Sequence, residues 1–314
     1  AVMEVLSFAG VSTMLFLEPP ELDVLKEYPT LQAIGVAGIA RSKDPAWMKS
    51  NLPSVFKRLK KFGAPVSHYK VCSTFDSSPE IGSIGVATEI GDAIFSTDWV
   101  PLVVGAPDIQ RYQAFGTLFA KSGASIHRLD RHPVMSRHPI TPMNEADLTR
   151  HLTRQTNLKI GIISLAEIKA GQSHEAVSKC LSDGARILAI DVVDDETLTE
   201  AGRLIWPIGS ASCFAVGSQG VEYALVAPWR KIGIIGHYET PPVLTPVDQI
   251  FAVSGSCAST TEDQIAKAEA HGFQILNFDV STVTDLKRLA AELERVRNES
   301  LKRLSKNYDV LVST

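Results

Sequence analysis

The chain has 314 residues, 45% of them hydrophobic and 21% charged, with a formal net charge of −4. That length and balance suit a globular protein with two cores, and they exclude a nucleic-acid binder, which needs a concentrated basic face. No apolar run is long enough to cross a bilayer, nothing reads as a signal peptide, and Cys72, Cys180, Cys213 and Cys257 form neither a C-x-x-C pair nor a zinc spacing, so reduced thiols in a cytoplasmic setting are expected.

Strand and helix patterns alternate from the start. Val2, Met3, Val5, Leu6, Phe8 and Ala9 mark an amphipathic helix. Residues 11–17 read as a strand, 21–28 as a short helix after a Pro-Pro corner, and 33–40 as an apolar strand. Asp44 and Pro45 then open a helix reaching about residue 62, with the aspartate as cap and the proline early in the first turn. Within it, Lys57, Arg58, Lys60 and Lys61 are spaced against Val55, Phe56 and Leu59, as on a solvated helix face.

Residues 66–73 read as the next strand, 85–95 as a helix, 100–106 as a strand and 111–132 as extended or hairpin structure. A helix is predicted over 144–155, with Asn144 as N-cap and Asp147 completing a capping-box variant. A strand at 158–165, a helix at 172–181 ended by Asp183-Gly184, a strand at 186–192 and a helix at 195–205 follow. An apolar stretch starts at Phe214, and 219–225 reads as helical.

Residues 227–248 contain Pro228, Gly233, Gly236, Pro241, Pro242 and Pro246, the composition of a linker, assigned to 229–248. The alternation then restarts with a strand at 249–254, a helix at 261–271, a strand at 273–279, a helix at 284–304 and a strand at 309–313. The expected fold is α/β with two domains, 1–228 and 249–314, each a mostly parallel sheet flanked by helices, and a cleft between them. Opening in a helix and closing on a strand, the sequence reads as part of a longer protein.

The richest stretch for chemistry is Tyr69-Lys70-Val71-Cys72-Ser73-Thr74-Phe75-Asp76-Ser77-Ser78-Pro79, followed by Gly82-Ser83-Ile84-Gly85. A strand breaks there into small hydroxyl residues around one carboxylate. Lys70 offers a mobile cation, Ser73, Thr74 and Ser77 offer hydrogen bonds, and Asp76 can accept a proton or bind a metal. Gly82 and Gly85 allow the backbone to approach a ligand before a helix begins.

Arg111 follows Gly105-Ala106-Pro107 at the end of an apolar strand, where open α/β sheets place ligands, and can grip a carboxylate through two parallel hydrogen bonds. Its bland alternative is surface pairing with Asp108. In Ser254-Gly255-Ser256, a strand runs into a small-residue loop and a helix capped by Thr260 or Thr261. The amides there suit a phosphate, although the Walker spacing is absent and a plain turn fits equally.

The crowd of His127, Arg128, Asp130, Arg131, His132, Arg137 and His138 has too few carboxylates and too irregular a spacing for a metal, and reads as a polar loop lining a cleft or a subunit contact. Gly217-Ser218-Gln219-Gly220 reads as helix capping.

Taken together, the segment 69–79 with Gly82 and Gly85, the Ala106-Pro107, Arg111 and Gly116 stretch, His138-Pro139-x-Thr141-Pro142-Met143 and Gln155-Thr156 resemble the substrate-binding domain of the four-carbon acid sugar kinases. Val253-Ser254-Gly255-Ser256 with Thr261 and Gln264 is similar to the start of that family's nucleotide-binding domain. The resemblance implies an ATP-dependent kinase acting on threonate, erythronate or 3-oxo-tetronates, with Mg²⁺ carried on the ATP and no protein metal site.

It further implies Lys70 and Asp76 as catalytic residues, and Lys70, Ser73, Thr74, Asp76, Ser77, Gly82, Gly85 and Arg111 as substrate-binding residues. Ser254, Gly255, Ser256 and Thr261 would bind the nucleotide. It calls for no nucleic acid and no membrane, and leaves a homodimer open. Two family features, an Asp-Asp-Phe-Thr-Gly motif after a first strand and a late Gly-Gly-Asp/Glu-Thr-Ser-type loop, are absent and are expected before Ala1 and beyond Thr314. The rivals are a non-catalytic sugar-acid-binding or regulatory protein and a dinucleotide-dependent oxidoreductase. Gly35 and Gly38 do not supply the Gly-x-Gly-x-x-Gly spacing the latter requires.

Overall fold

The computed structural model describes residues 1–206, 212–236, 245–256 and 259–314; Cys257 and residues 237–244 of the expected linker lie outside them. The chain divides into two units, Ala1–Pro241 and Pro242–Thr314.

The first unit opens with α1 (Val2–Phe8), β1 (Thr13–Phe16), α2 (Leu22–Lys26) and β2 (Ala33–Val36), with β1 and β2 paired in parallel. After a 3-10 turn at Ala40–Ser42 comes α3 (Pro45–Lys61), whose cap is the expected one: Asp44 accepts from the Trp47 amide at 2.7 Å. Its basic face is exposed and its Met48, Leu52 and Phe56 are buried.

Next come β3 (Val66–Lys70), α4 (Ile84–Phe95), β4 (Val100–Val103) and an antiparallel meander of β5 (Arg111–Ala114), β6 (Thr117–Ser122) and β7 (Ser125–Arg128). The meander fulfils the hairpin expectation for 111–132. The helix predicted over 144–155 is only α5 (Leu148–Leu152). The Leu118 amide donates to the Ala146 carbonyl, and Asp147 bridges Thr117, so the chain stays extended against β6 through residue 147. Asp147, not Asn144, is the cap, accepting from the Thr149 and Arg150 amides at 2.9 and 3.1 Å.

The unit continues with β8 (Ile160–Ile163), α6 (Leu165–Lys169), α7 (Ser173–Ser182), β9 (Ile187–Ile190), α8 (Asp195–Ile205), β10 (Cys213–Gly217) and α9 (Gly220–Lys231). The strand reading of 158–165 stops short because Ser164 and Glu167 form a capping box that starts α6. α9 runs past its predicted end and through Pro228, so residues 229–231 are helical rather than linker.

Five strands form one parallel sheet in the order β3-β10-β4-β9-β8. One face packs on α3, α4 and the meander, through Phe56, Phe95, Leu102, Leu118 and Phe214. Phe95 and Phe214 stack with centroids 5.0 Å apart and planes 7° apart. The other face packs on α6 to α9, through Ile163, Ile168, Ala201, Val221 and Leu225.

The second unit holds β11 (Phe251–Ser254), α10 (Ser259–Ala270), β12 (Gln274–Asn277), α11 (Leu286–Leu304) and β13 (Val310–Ser313). Its strands are parallel in the order β11-β13-β12, and Leu276, Val296 and Val312 form its core.

Candidate functional site

In the parallel sheet of the first unit, β10 lies between β3 and β4, so the loops leaving the carboxyl ends of β3 and β4 meet above it. Such an edge is where open α/β sheets bind ligands. Gly217 and Gly220 make the approach close: a Cβ on either would stand 2.0 Å from the carbonyl oxygen of Val103 or Gly105. The Gly217–Gly220 turn is thus packed on β4, and the Ser218 hydroxyl, buried, donates to the Val104 carbonyl at 2.8 Å.

Lys70 ends β3 and is exposed; Ser73, three residues on, is half-buried. The next turn goes inward. Phe75 takes a positive φ of 55° and is fully buried. Asp76 follows with its side chain 1% exposed, and it is ion-paired: Arg41 Nη2 lies 2.6 Å from Asp76 Oδ2. Thr74 donates to Asp76 Oδ1 at 2.7 Å and stands 2.9 Å from Cys72 Sγ, while the Thr141 hydroxyl is 3.4 Å from Asp76 Oδ2. The carboxylate expected to take a substrate proton is therefore closed off from solvent and engaged by a guanidinium and two hydroxyls.

Ser77 belongs to a second buried group. Gln155 Nε2 donates to Ser77 Oγ at 2.9 Å and to His151 Nε2 at 3.0 Å, and Ser77 Oγ is 2.9 Å from His151 Nε2. Gln155 Oε1 accepts from the Ile84 and Gly85 amides at 2.8 and 3.3 Å. The α4 amides, expected to face a ligand, are thus capped by Gln155.

The two glycines serve the same closure. A Cβ on Gly85 would be 2.5 Å from the Gln155 carbonyl. Gly82, at φ +61°, would place one 2.4 Å from the Arg41 carbonyl oxygen. With its Nε2 accepting, His151 carries its proton on Nδ1, and burial pushes its pKa down from 6.5 to about 4, with Arg154 adding to the drop.

Arg111 opens β5 and is half-buried. Its Nη1 donates to the Ile109 and Gln110 carbonyls at 3.2 and 3.1 Å, and its Nε is buried with no hydrogen bond among the described residues. It does not pair with Asp108. Burial lowers its pKa, opposed by the charge of nearby Cys72.

Two residues of this edge escaped the sequence reading. Arg41 sits in a polar turn without a motif. Asp191, fully buried after β9, accepts from the Gly116 and Leu165 amides at 2.9 Å each and from the Phe115 amide, tying the β5–β6 turn to the start of α6. Burial raises its pKa against the pull of those three amides. The only advance signal for Asp191 was a carboxylate at the end of an apolar strand. For Arg41 there was none.

In the second unit, Ser254 ends β11, Gly255 and Ser256 are exposed, and the Thr261 hydroxyl donates to Ser256 Oγ at 2.9 Å. Among the described residues a Cβ on Gly255 would meet nothing within 4 Å. Residues 257–258 lie outside the described part, and α10 begins two residues earlier than predicted. Among the described residues no group of His, Cys, Asp and Glu is placed to hold a metal ion, and no helix is long and apolar enough to cross a membrane.

Past the carboxyl edge of the parallel sheet stand Arg111, an exposed lysine and a row of hydroxyls, with Arg41 paired to Asp76 beside them, groups that suit the class of proteins holding small, hydroxylated anions. Comparison with known proteins gives that class a family. Residues 1–225 match the family described as the sugar-binding N-terminal domain. A 3-oxo-isoapionate kinase of Paraburkholderia graminis is 44% identical over 99% of this chain and 66% of its own length. A 3-oxo-tetronate kinase of Cupriavidus necator is 25% identical over 86% of this chain and 61% of its own.

The crystal structure of a Haemophilus influenzae protein of the DUF1537 family superposes with a TM-score of 0.69 at 22% identity, over 99% of this chain and 71% of that one, and shares the fold. The chain belongs to the four-carbon acid sugar kinase family. It spans between 61% and 66% of the length of these two curated relatives.

Proposed function

We propose that the protein of which this chain is part transfers the γ-phosphoryl group of ATP to a hydroxyl of a 3-oxo sugar acid, of the isoapionate or tetronate kind named in its relatives. The observation that carries the reading is the edge above β10, where Lys70 ends β3, Ser73 follows it and Arg111 follows β4, in a chain of a sugar-acid kinase family. Residues 1–228 would hold the acid, and 249–314 would begin the nucleotide-binding part.

Phosphoryl transfer asks for positioning and charge neutralisation more than covalent chemistry. Arg111 and Ser73 suit the acid. Lys70, exposed at the end of β3, suits the transferred phosphoryl group, since a mobile ammonium can follow its charge. On the other unit, the amides of Ser254, Gly255 and Ser256 suit the nucleotide phosphates, with Thr261 at the neighbouring helix. Mg²⁺ would bridge the ATP phosphates and keep several waters, so few protein ligands are needed. The reading places the enzyme in the cytoplasm, where ATP is available.

The test is ADP release by the full-length protein with 3-oxo-isoapionate, 3-oxo-tetronates, threonate and erythronate. Turnover with one of these and a loss on the order of 10²-fold in Lys70→Ala are expected. Binding of an acid without ADP release would favour the sensor reading, and wild-type turnover in Lys70→Ala would remove that residue from the chemistry.

A further inference from the structure

We propose that Arg41 holds the carboxylate of the sugar acid, together with Arg111, and that Asp76 is the positioning residue for Arg41 rather than the base of the reaction. The inference rests on the sugar-acid reading above and assigns work within that site.

The first observation is an asymmetry in exposure. The Arg41 side chain is 59% exposed and the Asp76 side chain 1%. A buried carboxylate therefore anchors one end of a guanidinium that also bonds Cys72, on a side chain that is mostly exposed. A planar guanidinium fixed at one nitrogen keeps its remaining N–H groups in a set direction, the preorganisation that planar recognition of a carboxylate uses.

The backbone of Arg41 is held by the same loop. Its carbonyl packs on Gly82, and the Gly82 amide donates to the Lys43 carbonyl at 2.8 Å. The loop 72–82 thus fixes Arg41 twice, by Asp76 at the head and by Gly82 at the main chain.

The second observation is a charge imbalance. Cys72 hydrogen-bonds Arg41 and lies near enough to Arg111 to act on its charge. Asp76 answers one guanidinium. Arg111 has only carbonyls on its Nη1 and an orphan buried Nε. A half-buried donor of this kind costs free energy until an acceptor arrives. An oxyanion between the two guanidiniums supplies it.

The third observation concerns Asp76 itself. Thr74, Thr141 and Arg41 occupy its oxygens. A general base needs a lone pair facing the proton it takes. This carboxylate has the surroundings of a structural anchor.

The oxyanion could come from the acid or from the nucleotide, and kinetics of the full-length enzyme separate them. Arg41→Gln should raise KM for the sugar acid at least about tenfold, with KM for ATP within about twofold, and Arg41→Lys should restore part of the loss. Asp76→Asn should likewise raise KM for the acid, with kcat kept within a few-fold and the acid limb of the pH profile unmoved. The Arg41→Gln/Asp76→Asn double variant should be no worse than Arg41→Gln alone.

A rise confined to KM for ATP, or an Asp76→Asn enzyme that loses kcat about 10²-fold with KM unchanged, would overturn the proposal. If no acid supports ADP release, the kinase reading fails alone. Calorimetric titration of 3-oxo-tetronate into wild-type and Arg41→Gln protein then decides this one, with equal affinity as the refuting result. Arg41→Lys keeps a cation beside the buried Asp76 and so serves as the test variant where Arg41→Gln or Asp76→Asn does not fold.

Discussion

Acidification tests the support beneath the site. His151 is 5% exposed and accepts at Nε2 from Gln155, with Ser77 Oγ 2.9 Å away. A proton on that nitrogen would face the Gln155 amide N–H, whose own oxygen is committed to the start of α4. In the unfolded chain the imidazole takes its proton near its ordinary value of 6.5, whereas the folded protein withholds it until about 4.

A base with a depressed folded pKa contributes stability that is present above the unfolded value and lost as pH falls through the window between the two. At about 1.36 kcal/mol per pH unit, the loss between pH 6.5 and about pH 4 is about 3 kcal/mol. Urea unfolding followed by tryptophan fluorescence reads it, because Trp47, Trp99, Trp206 and Trp229 all lie in the first unit. Carboxylates titrate in the same range, so the informative quantity is the stability of wild type relative to His151→Gln, which should fall toward acid by about that amount. An equal decline in both proteins, or an imidazole NMR titration centred near 6.5, would refute the reasoning.

Two further outcomes follow from packing. A Cβ on Gly91 would stand 2.0 Å from Cζ of Phe214, whose ring is fixed by stacking on Phe95, so Gly91→Ala should cost about 1–3 kcal/mol by overpacking; an unchanged Tm would contradict the close fit. Cys72 and Cys213 are both half-buried, but burial pushes the Cys213 thiol up to about 12, leaving on the order of 10⁻⁴ of it as thiolate at pH 8, so iodoacetamide should label Cys72 well before Cys213 in the folded protein. Peptide mapping that finds Cys213 modified first would contradict the raised pKa.

Local signals carried much of the fold. α8 coincides with its predicted span, and Asp44-Pro45 starts α3 as read, because capping and periodicity act within a few residues. The errors arose where a distant segment overrode a local preference. Asn144 looks like a cap, but strand pairing with β6 keeps residues 146–147 extended. Gly82 and Gly85 look like room for a ligand, but Arg41 and Gln155 fill that room.

The candidate site was legible as a hydroxyl-rich strand end and as Arg111. It was not legible as a network. Arg41 and Asp76 are 35 residues apart and Asp191 reaches Gly116 across 75, and no periodicity links residues at such separations.

The position of β10 has a consequence for synthesis. Among the described residues β3 has no other strand beside it, and β4 meets β3 only through β10, the last described strand of the first unit to leave the ribosome. Until residue 217 emerges, β3 has no strand to pair with, although α3, α4, the meander and the contacts of the loop after β3 can already form. Assembly of that unit is therefore gated by its final segment, a long-range closure of the kind that slows folding and leaves sheet edges open to aggregation while it is pending.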